Sequence, residues 1–215
     1  MVPGRLCVKE SIRKWQDHFA VANRVECWTV LERTTWRLLE ANGTLTCPIA
    51  KADSDPMFQE AYAWMAASMI EAGISAPERN LSPWWCWINR DPGNPEPYAE
   101  DLEGLDDPVV LQLSIPAFEV ALSCFDLWHF VLNRSYVYSS EQDELEFDGA
   151  QAAAAANKPL LEARIRASWA AVFDLAQTSV DMGPLESKSI QGCFWVLRRD
   201  NVTAILERAA LNSYE

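Results

Sequence analysis

The stretch VVLQLSI (residues 109–115) is an almost unbroken run of β-branched and leucine side chains, and Pro116 ends it. A short apolar run of this kind is typical of a β-strand that is buried on both faces. The run therefore predicts one strand deep inside the domain, and the rest of the chain must supply the elements that cover it.

Further strands are predicted where β-branched and aromatic residues cluster between turn residues. The last two of them are expected to be joined by a hairpin-like turn at Arg199, Asp200 and Asn201. The strands are predicted over VECWTVL (25–31), PWWCWIN (83–89), VALSC (120–124), IQGCFWVLR (190–198) and VTAILE (202–207).

Helices are predicted where apolar residues recur with a period of 3.6. Residues 1–24 form an N-terminal amphipathic extension, in which Ile12, Trp15 and Phe19 share one face. Other helices are predicted over 34–42, with Thr34 or Thr35 as N-cap and Gly43 at its end, over 57–72 after the cap DSDP (53–56), and over 125–133 and 159–173. Residues 150–157 are predicted to form either a helix or a loosely constrained spacer.

Together these elements predict an α+β fold. We expect residues 25–215 to form a single compact domain, because a chain of 215 residues is short for two hydrophobic cores. Its curved, mixed but mainly antiparallel sheet should contain about five to six short strands, packed by three to four helices. The acidic segment 90–108, rich in proline and glycine, is predicted to be an exposed loop.

The charge balance restricts the partners of this domain. The chain has 31 acidic and 18 basic side chains, which gives a formal net charge of −13. A field of this sign repels nucleic acid phosphates and anionic membrane surfaces. Duplex DNA and membranes are therefore not expected as partners, whereas a basic protein is a plausible one.

The cysteines indicate the compartment. The six cysteines are widely separated and form no C-x-x-C pair, so free thiols in the cytoplasm are predicted rather than disulfides or a zinc site. The N-terminus has no apolar signal region, and no stretch approaches the ~18 apolar residues of a membrane span. Neither a P-loop, a dinucleotide fingerprint nor a nucleophile elbow is present, and no metal is expected.

Polar residues recur along the predicted helix at 125–133. Asp126, His129 and Asn133 fall at i, i+3 and i+7 and form a stripe beside apolar residues. The carboxylate could orient the imidazole, as a general base requires. A small hydrolase acting on water would use the same pair, although no nucleophile or oxyanion donor accompanies it. The alternative is a histidine that only caps a helix at the edge of the core.

Three tryptophans alternate in the strand at 83–89. Trp85 and Trp87 should share one face, while Trp84 points to the other. Either face could stack a flat ligand such as a nucleobase or nicotinamide, at ~1–3 kcal/mol per stacked ring. The alternative is that these rings simply fill the core.

Four sequence blocks in order resemble a bacterial family of unknown function whose pattern includes Y-x-W-M, P-x-W-x-W, F-D-x-W-H-x-V-L-N and Q-x-x-F-W. Cys124 replaces the aspartate that usually precedes the phenylalanine in the third block. The resemblance spans residues 27–207. The blocks are AYAWM (61–65), PWWCW (83–87), LSCFDLWHFVLN (122–133) and QGCFW (191–195).

The order of elements is also similar to that of ADP-ribosyltransferase-like domains. In such enzymes a glutamate on a late strand stabilises the ribosyl oxocarbenium ion and binds the ribose hydroxyls. The corresponding strand here reads QGCF (191–194) and has no acid. Either the activity is lost, or another acid such as Asp126 serves, or the comparison does not hold.

The resemblance implies a nucleotide- or NAD-binding domain with NAD as cofactor and ADP-ribose transfer to a macromolecule as its reaction. The alternative is a non-enzymatic acidic protein, inhibitor- or antitoxin-like, that binds a basic partner. For the first function we expect catalytic roles for His129, Asp126 and Gln191, and cofactor contacts from Trp28, Thr29, Trp85, Trp87 and Asn133.

Overall fold

Helices and strands alternate along most of the chain in the computed structural model, which describes residues 7–49, 56–153, 158–177 and 183–212. The α-helices in these ranges are α1 (Val8–Phe19), α2 (Arg33–Asn42), α3 (Pro56–Glu71), α4 (Phe125–Leu132), α5 (Glu141–Ala153) and α6 (Lys158–Ser168). The strands are β1 (Arg24–Glu32), β2 (Thr44–Pro48), β3 (Leu81–Ser82), β4 (Trp84–Asn89), β5 (Pro108–Pro116), β6 (Ala121–Cys124), β7 (Ile190–Phe194), β8 (Val196–Arg198) and β9 (Val202–Glu207).

The main sheet contains six strands in the order β6-β7-β4-β1-β5-β9, and each neighbouring pair in it is antiparallel. Strands β4 and β1 lie at its middle. The predicted α+β fold with a mainly antiparallel sheet is therefore confirmed. The acidic segment after Ser140 forms helix α5.

A second sheet, which the sequence did not predict, has the order β3-β2-β8. The expected hairpin between the last two strands is wrong, because β8 pairs with β2 and β9 pairs with β5. Trp195 is the residue between β7 and β8, where the chain passes from the main sheet to the second sheet. Its indole is buried and donates to the carbonyl oxygen of Ile74 at 2.9 Å, which holds this connection in place. Arg199–Asn201 forms one 3₁₀ turn.

Helix α2 begins without the predicted threonine cap. The N-cap residue is Glu32, the last residue of β1, because the strand leads directly into the helix. The predicted stop at Gly43 is confirmed by its left-handed backbone (φ +76°) and by its N–H donating to the carbonyl oxygen of Leu39. The predicted DSDP cap and the segment 150–157 fall partly outside the described residues.

Helix α1 packs on the main core. Ile12 and Trp15 are 1% and 4% exposed, and Gln16 Nε2 donates to the carbonyl oxygen of Val120 at 2.8 Å. The amphipathic face that the sequence predicted for the N-terminal extension therefore covers the start of β6. The described part of the extension is integral to the core.

Strand β5, next to the edge strand β9, is buried on both faces only over Val109–Leu111, and its second half alternates between buried and half-buried residues. On the face of Val110, a small apolar cluster forms with Trp28 and Leu102. Leu102 belongs to the acidic segment that was expected to be an exposed loop. That segment is exposed in part, but Leu102 anchors it to the sheet.

All six cysteines are free thiols, as predicted. Within the described ranges, no helix is both long enough and apolar enough to span a bilayer. No cluster of potential metal-binding side chains occurs in the described part of the chain.

Candidate functional site

A cavity of about 370 Å³ lies beside the middle strands of the main sheet. This volume is within the range of small-molecule sites. We call it the tryptophan cavity, because four indole rings contribute to its wall. Its lining residues are Trp28, Thr29, Val30, Tyr62, Trp85, Cys86, Trp87, Phe125, Trp128, Leu132 and Gln191.

One row of the antiparallel sheet brings the strand residues of the cavity together. Gln191 on β7 lies directly opposite Trp87 on β4, which in turn lies opposite Trp28 on β1. Residues directly opposite each other project from the same face of a sheet. Ser123 and Gln112 extend the row on either side. Three residues far apart in the sequence thus line one cavity because of strand register.

One group of aromatic rings joins the sheet to two helices. The ring of Trp85 lies 4.9 Å from the ring of Trp128 on α4 and 5.8 Å from the ring of Tyr62 on α3. Tyr62 and Trp128 are themselves 6.0 Å apart. Tilted and edge-to-face pairs at these distances are favourable, so the group stabilises this part of the wall.

A second aromatic group surrounds Trp87. The ring of Phe125 meets it edge to face with centroids 4.7 Å apart, and the guanidinium of Arg90 lies 4.9 Å from its ring centre. Arg90 also forms two hydrogen bonds with the carboxylate of Asp101, at 2.8 and 2.9 Å. The acidic loop therefore supports Trp87 from outside the cavity.

Polar groups in the wall are few. The hydroxyl of Thr29 donates to the carbonyl oxygen of Trp85 at 2.8 Å, so it mainly holds β1 against β4. The indole nitrogen of Trp28 is buried and has no acceptor among the described residues, and we assign it to packing. Gln191 Nε2 donates to Ser123 Oγ at 3.3 Å.

No charged side chain among the described residues lines the tryptophan cavity. Its wall is aromatic and apolar, with Gln191 as its amide group. Part of the rim is open to solvent, since Val30, Tyr62, Phe125 and Leu132 are only half-buried. Such a cavity is suited to a flat, uncharged ring and not to a phosphate or a metal ion.

The predicted polar stripe of α4 lies outside this wall. Asp126, His129 and Asn133 are exposed, whereas Phe125, Trp128 and Leu132 from the neighbouring apolar stripe line the cavity. His129 still lies close to it: its Nδ1 donates to the carbonyl oxygen of Phe125 at 3.1 Å. Its ring lies 4.6 Å from that of Phe125.

Of the eight predicted site residues, the structure places Trp28, Thr29, Trp85, Trp87 and Gln191 in the tryptophan cavity and leaves the three from α4 at the surface. The sequence analysis did not select the aromatic residues that α3 and α4 contribute. The signal was present, because the apolar residues Phe125, Trp128 and Leu132 recur at i, i+3 and i+7 like the polar ones.

The thiols of Cys27 and Cys193 are not activated as nucleophiles. Burial raises the pKa of Cys193 well above its ordinary value, and burial together with the neighbouring thiol of Cys86 does the same for Cys27. Thiols with raised pKa values stay protonated at neutral pH, and only the thiolate attacks. Cys86 lines the cavity and donates to the carbonyl oxygen of Gly192 at 3.4 Å.

A family model described as a domain of unknown function (DUF3841) matches residues 26–203. The match confirms the expected family of unknown function and covers β1 through the start of β9. Comparisons with curated proteins and with solved structures find no match. The ordered motif signature, the bacterial origin and the ADP-ribosyltransferase-like layout stay predictions.

Proposed function

This chain belongs to the DUF3841 family, whose function is unknown, and from that premise we propose that it binds NAD or a related nucleotide by its planar ring. The observation that carries the proposal is the tryptophan cavity, into which Trp85, Trp87 and Gln191 converge from two neighbouring strands. An aromatic wall of this kind supports stacking of a nicotinamide or nucleobase ring, at ~1–3 kcal/mol per stacked ring.

The proposal assigns the ring and the rest of the ligand to different environments. The cavity volume of about 370 Å³ suits one heterocycle with its ribose better than a whole dinucleotide. Its uncharged wall gives no compensation for a desolvated phosphate. The ring therefore enters the cavity, while the phosphates stay in solvent at the rim.

The test is intrinsic tryptophan fluorescence, titrated with NAD, nicotinamide, adenosine and AMP. Four of the ten tryptophans line the cavity, so a bound ring should quench the emission. Isothermal titration calorimetry with the same compounds checks the stoichiometry, for which one site per chain is expected. A flat response to every compound in both measurements would remove the proposal.

Transfer of ADP-ribose would be a second step, beside the cavity and on the exposed side of α4. It breaks the bond between nicotinamide and ribose and joins the ribose carbon to an acceptor group of a macromolecule. We propose Asp126 and His129 on the exposed side of α4 for this step, because His129 contacts Phe125, which is part of the cavity wall.

Release of nicotinamide from NAD, measured by chromatography, distinguishes a transferase from a protein that only binds NAD. Asp126→Asn should abolish that release while leaving the NAD affinity unchanged.

A second candidate function is binding of a basic protein, supported by the surface of α5. The apolar side chain of Leu145 is 68% exposed, and exposed acids surround it in sequence. An acidic face around an apolar residue is complementary to a cationic amphipathic segment. The acids are Glu141, Glu144, Glu146 and Asp148.

Pull-down from a lysate at low and at high salt tests this candidate. A complex held by these charges should weaken at high salt, because screening shortens the Debye length from ~10 Å at 0.1 M to ~3 Å at 1 M. The double variant Glu144→Lys with Glu146→Lys should lose the partner. Retention of the partner by this variant at both salt concentrations would rule out α5 as the binding surface.

Both proposals include a cytoplasmic location, which is consistent with the six free thiols.

A further inference from the structure

Gln191 has an unusual position in the wall of the tryptophan cavity. The residue is only 5% exposed, and one N–H of its Nε2 donates to Ser123 Oγ at 3.3 Å. No described residue donates to its Oε1, and this oxygen is not among the fully buried polar atoms that lack a partner, so it can be reached from the cavity. An acceptor that faces a cavity in this way can take a donor from a ligand in place of water.

The register of the sheet fixes where this acceptor lies. Gln191 sits between Ser123 on β6 and Trp87 on β4 in one row of opposite residues. The hydrogen bond to Ser123 holds the amide on one side, and the ring of Trp87 adjoins it on the other. A flat ligand that contacts Trp87 would therefore present its edge to the amide of Gln191.

We infer that Gln191 selects an uncharged planar heterocycle that carries an N–H donor on its edge, a specificity that rests on the proposed ring-binding function. A ring without a donor leaves the acceptor of Gln191 unpaired and buried, which is costly. An anionic ring, such as one with a carboxylate, meets the amide oxygen and has no cation in the wall to pair with.

Two kinds of ligand supply such a donor: the carboxamide of nicotinamide and the exocyclic amine of a nucleobase such as adenine. The first arm of the test is calorimetry of the wild-type protein with nicotinamide, methyl nicotinate and nicotinate. The three rings are alike, but the ester has no N–H group and the acid is anionic. The second arm compares 9-methyladenine with 9-methylpurine, which lacks the exocyclic amine. Methylation at N9 removes the ring N–H that the parent bases carry, so the amine is the only N–H donor that differs.

In at least one arm, the compound with the N–H donor is expected to bind about tenfold more tightly than its partner without it, as for loss of one buried hydrogen bond. The arm that shows the preference identifies the source of the donor. Equal affinities within both arms would overturn the inference and leave ring binding itself intact. No binding of any compound would remove the proposed function together with it.

The matched variants are Gln191→Leu and Gln112→Leu. Gln112 lies opposite Trp28 in the same row, but it is not part of the cavity wall. Gln191→Leu should reduce the preference for the donor from about tenfold to less than twofold, and Gln112→Leu should leave this preference unchanged.

Thermal unfolding by circular dichroism checks that both variants are folded. Since the ligand series on the wild type needs no variant, the inference stays testable even if Gln191→Leu does not fold. A preference that persists unchanged in folded Gln191→Leu would overturn it.

Discussion

Gln191 and Trp87 lie directly opposite each other on β7 and β4, although more than a hundred residues separate them in the chain. Their pairing sets an amide beside an indole in the wall of the tryptophan cavity. The specificity proposed for the ring ligand depends on this juxtaposition.

Replacing Trp85 by leucine should weaken ring binding by about five- to 150-fold, because stacking on one aromatic ring contributes ~1–3 kcal/mol. The control is Trp84→Leu, since Trp84 is the adjacent residue and is not part of the wall. Its indole donates instead to the carbonyl oxygen of Leu45 at 3.3 Å. Calorimetry with the best ligand measures both affinities. Equal losses in the two variants would mean that the effect is structural.

A phosphate group should add no affinity. The wall of the cavity is uncharged, and the chain carries a net charge of −13, so AMP is expected to bind no more tightly than adenosine. The difference should shrink as salt is added, because screening weakens the repulsion. Titrations of both compounds at low and physiological salt provide the measurement. Tighter binding of AMP at low salt would reveal a cationic subsite and contradict this expectation.

Asp143 should stabilise the fold in a pH-dependent way. Burial opposes its ionisation, but hydrogen bonds from the Ser139 backbone and side chain, the Tyr136 hydroxyl and Arg164 outweigh burial and lower its pKa. A carboxylate with a lowered folded-state pKa contributes stability above its unfolded pKa of ~3.9, and this stability is lost as the pH falls through the folded value.

Asp143→Asn is therefore expected to lower the free energy of unfolding by about 1–3 kcal/mol at pH 7 and by less near pH 3. Urea unfolding of the two proteins across this pH range tests it. Asp148→Asn on the exposed side of the same helix is the control and should change stability by less than ~0.5 kcal/mol. A loss that does not depend on pH would argue against a role for the Asp143 charge.

Removing the indole of Trp15 should show that α1 belongs to the core. Trp15 is 4% exposed, and truncation of a buried tryptophan to alanine costs about 3–5 kcal/mol. Lys14→Ala, which removes an exposed side chain whose ammonium group lies 4.5 Å from the centre of the same ring, should cost less than ~1 kcal/mol. Chemical denaturation gives both values. If Trp15→Ala were as stable as wild type, α1 would be a dispensable extension.

Gly192 should tolerate no side chain. A methyl group there would lie 2.9 Å from a methyl of Val120 and 3.0 Å from the sulfur of Cys86, which lines the cavity. Gly192→Ala is expected to lower stability by about 1–3 kcal/mol through overpacking, and to weaken ligand binding by displacing Cys86.

The contrasting substitution is Gly149→Ala in helix α5, where nothing lies within 4 Å of the added methyl group. It should raise stability by roughly 0.5–1 kcal/mol, because alanine favours the helix. Thermal melts of the two variants therefore should shift in opposite directions. A neutral Gly192→Ala would mean that the sheet adjusts at this position.

Local patterns determined most of the secondary structure. The alternation of Trp84, Trp85 and Trp87 predicted their division between two environments, and the period of α4 predicted a polar and an apolar stripe. Alternation along a strand and the 3.6-residue period of a helix are both local properties, so the sequence of one element is sufficient to predict which side chains share a face. The left-handed stop at Gly43 was predictable for the same reason.

Only the tertiary structure decided which strands and helices contact one another. The order of strands follows from burial and register between distant segments, which is why β8 leaves the main sheet and why Gln191 pairs with Trp87. It also decided which stripe of α4 faces the cavity. The polar stripe was the expected one, but the aromatic rings of Trp85 and Trp87 pack against Trp128 and Phe125, because burying apolar rings against one another is favourable and burying a lone carboxylate is not.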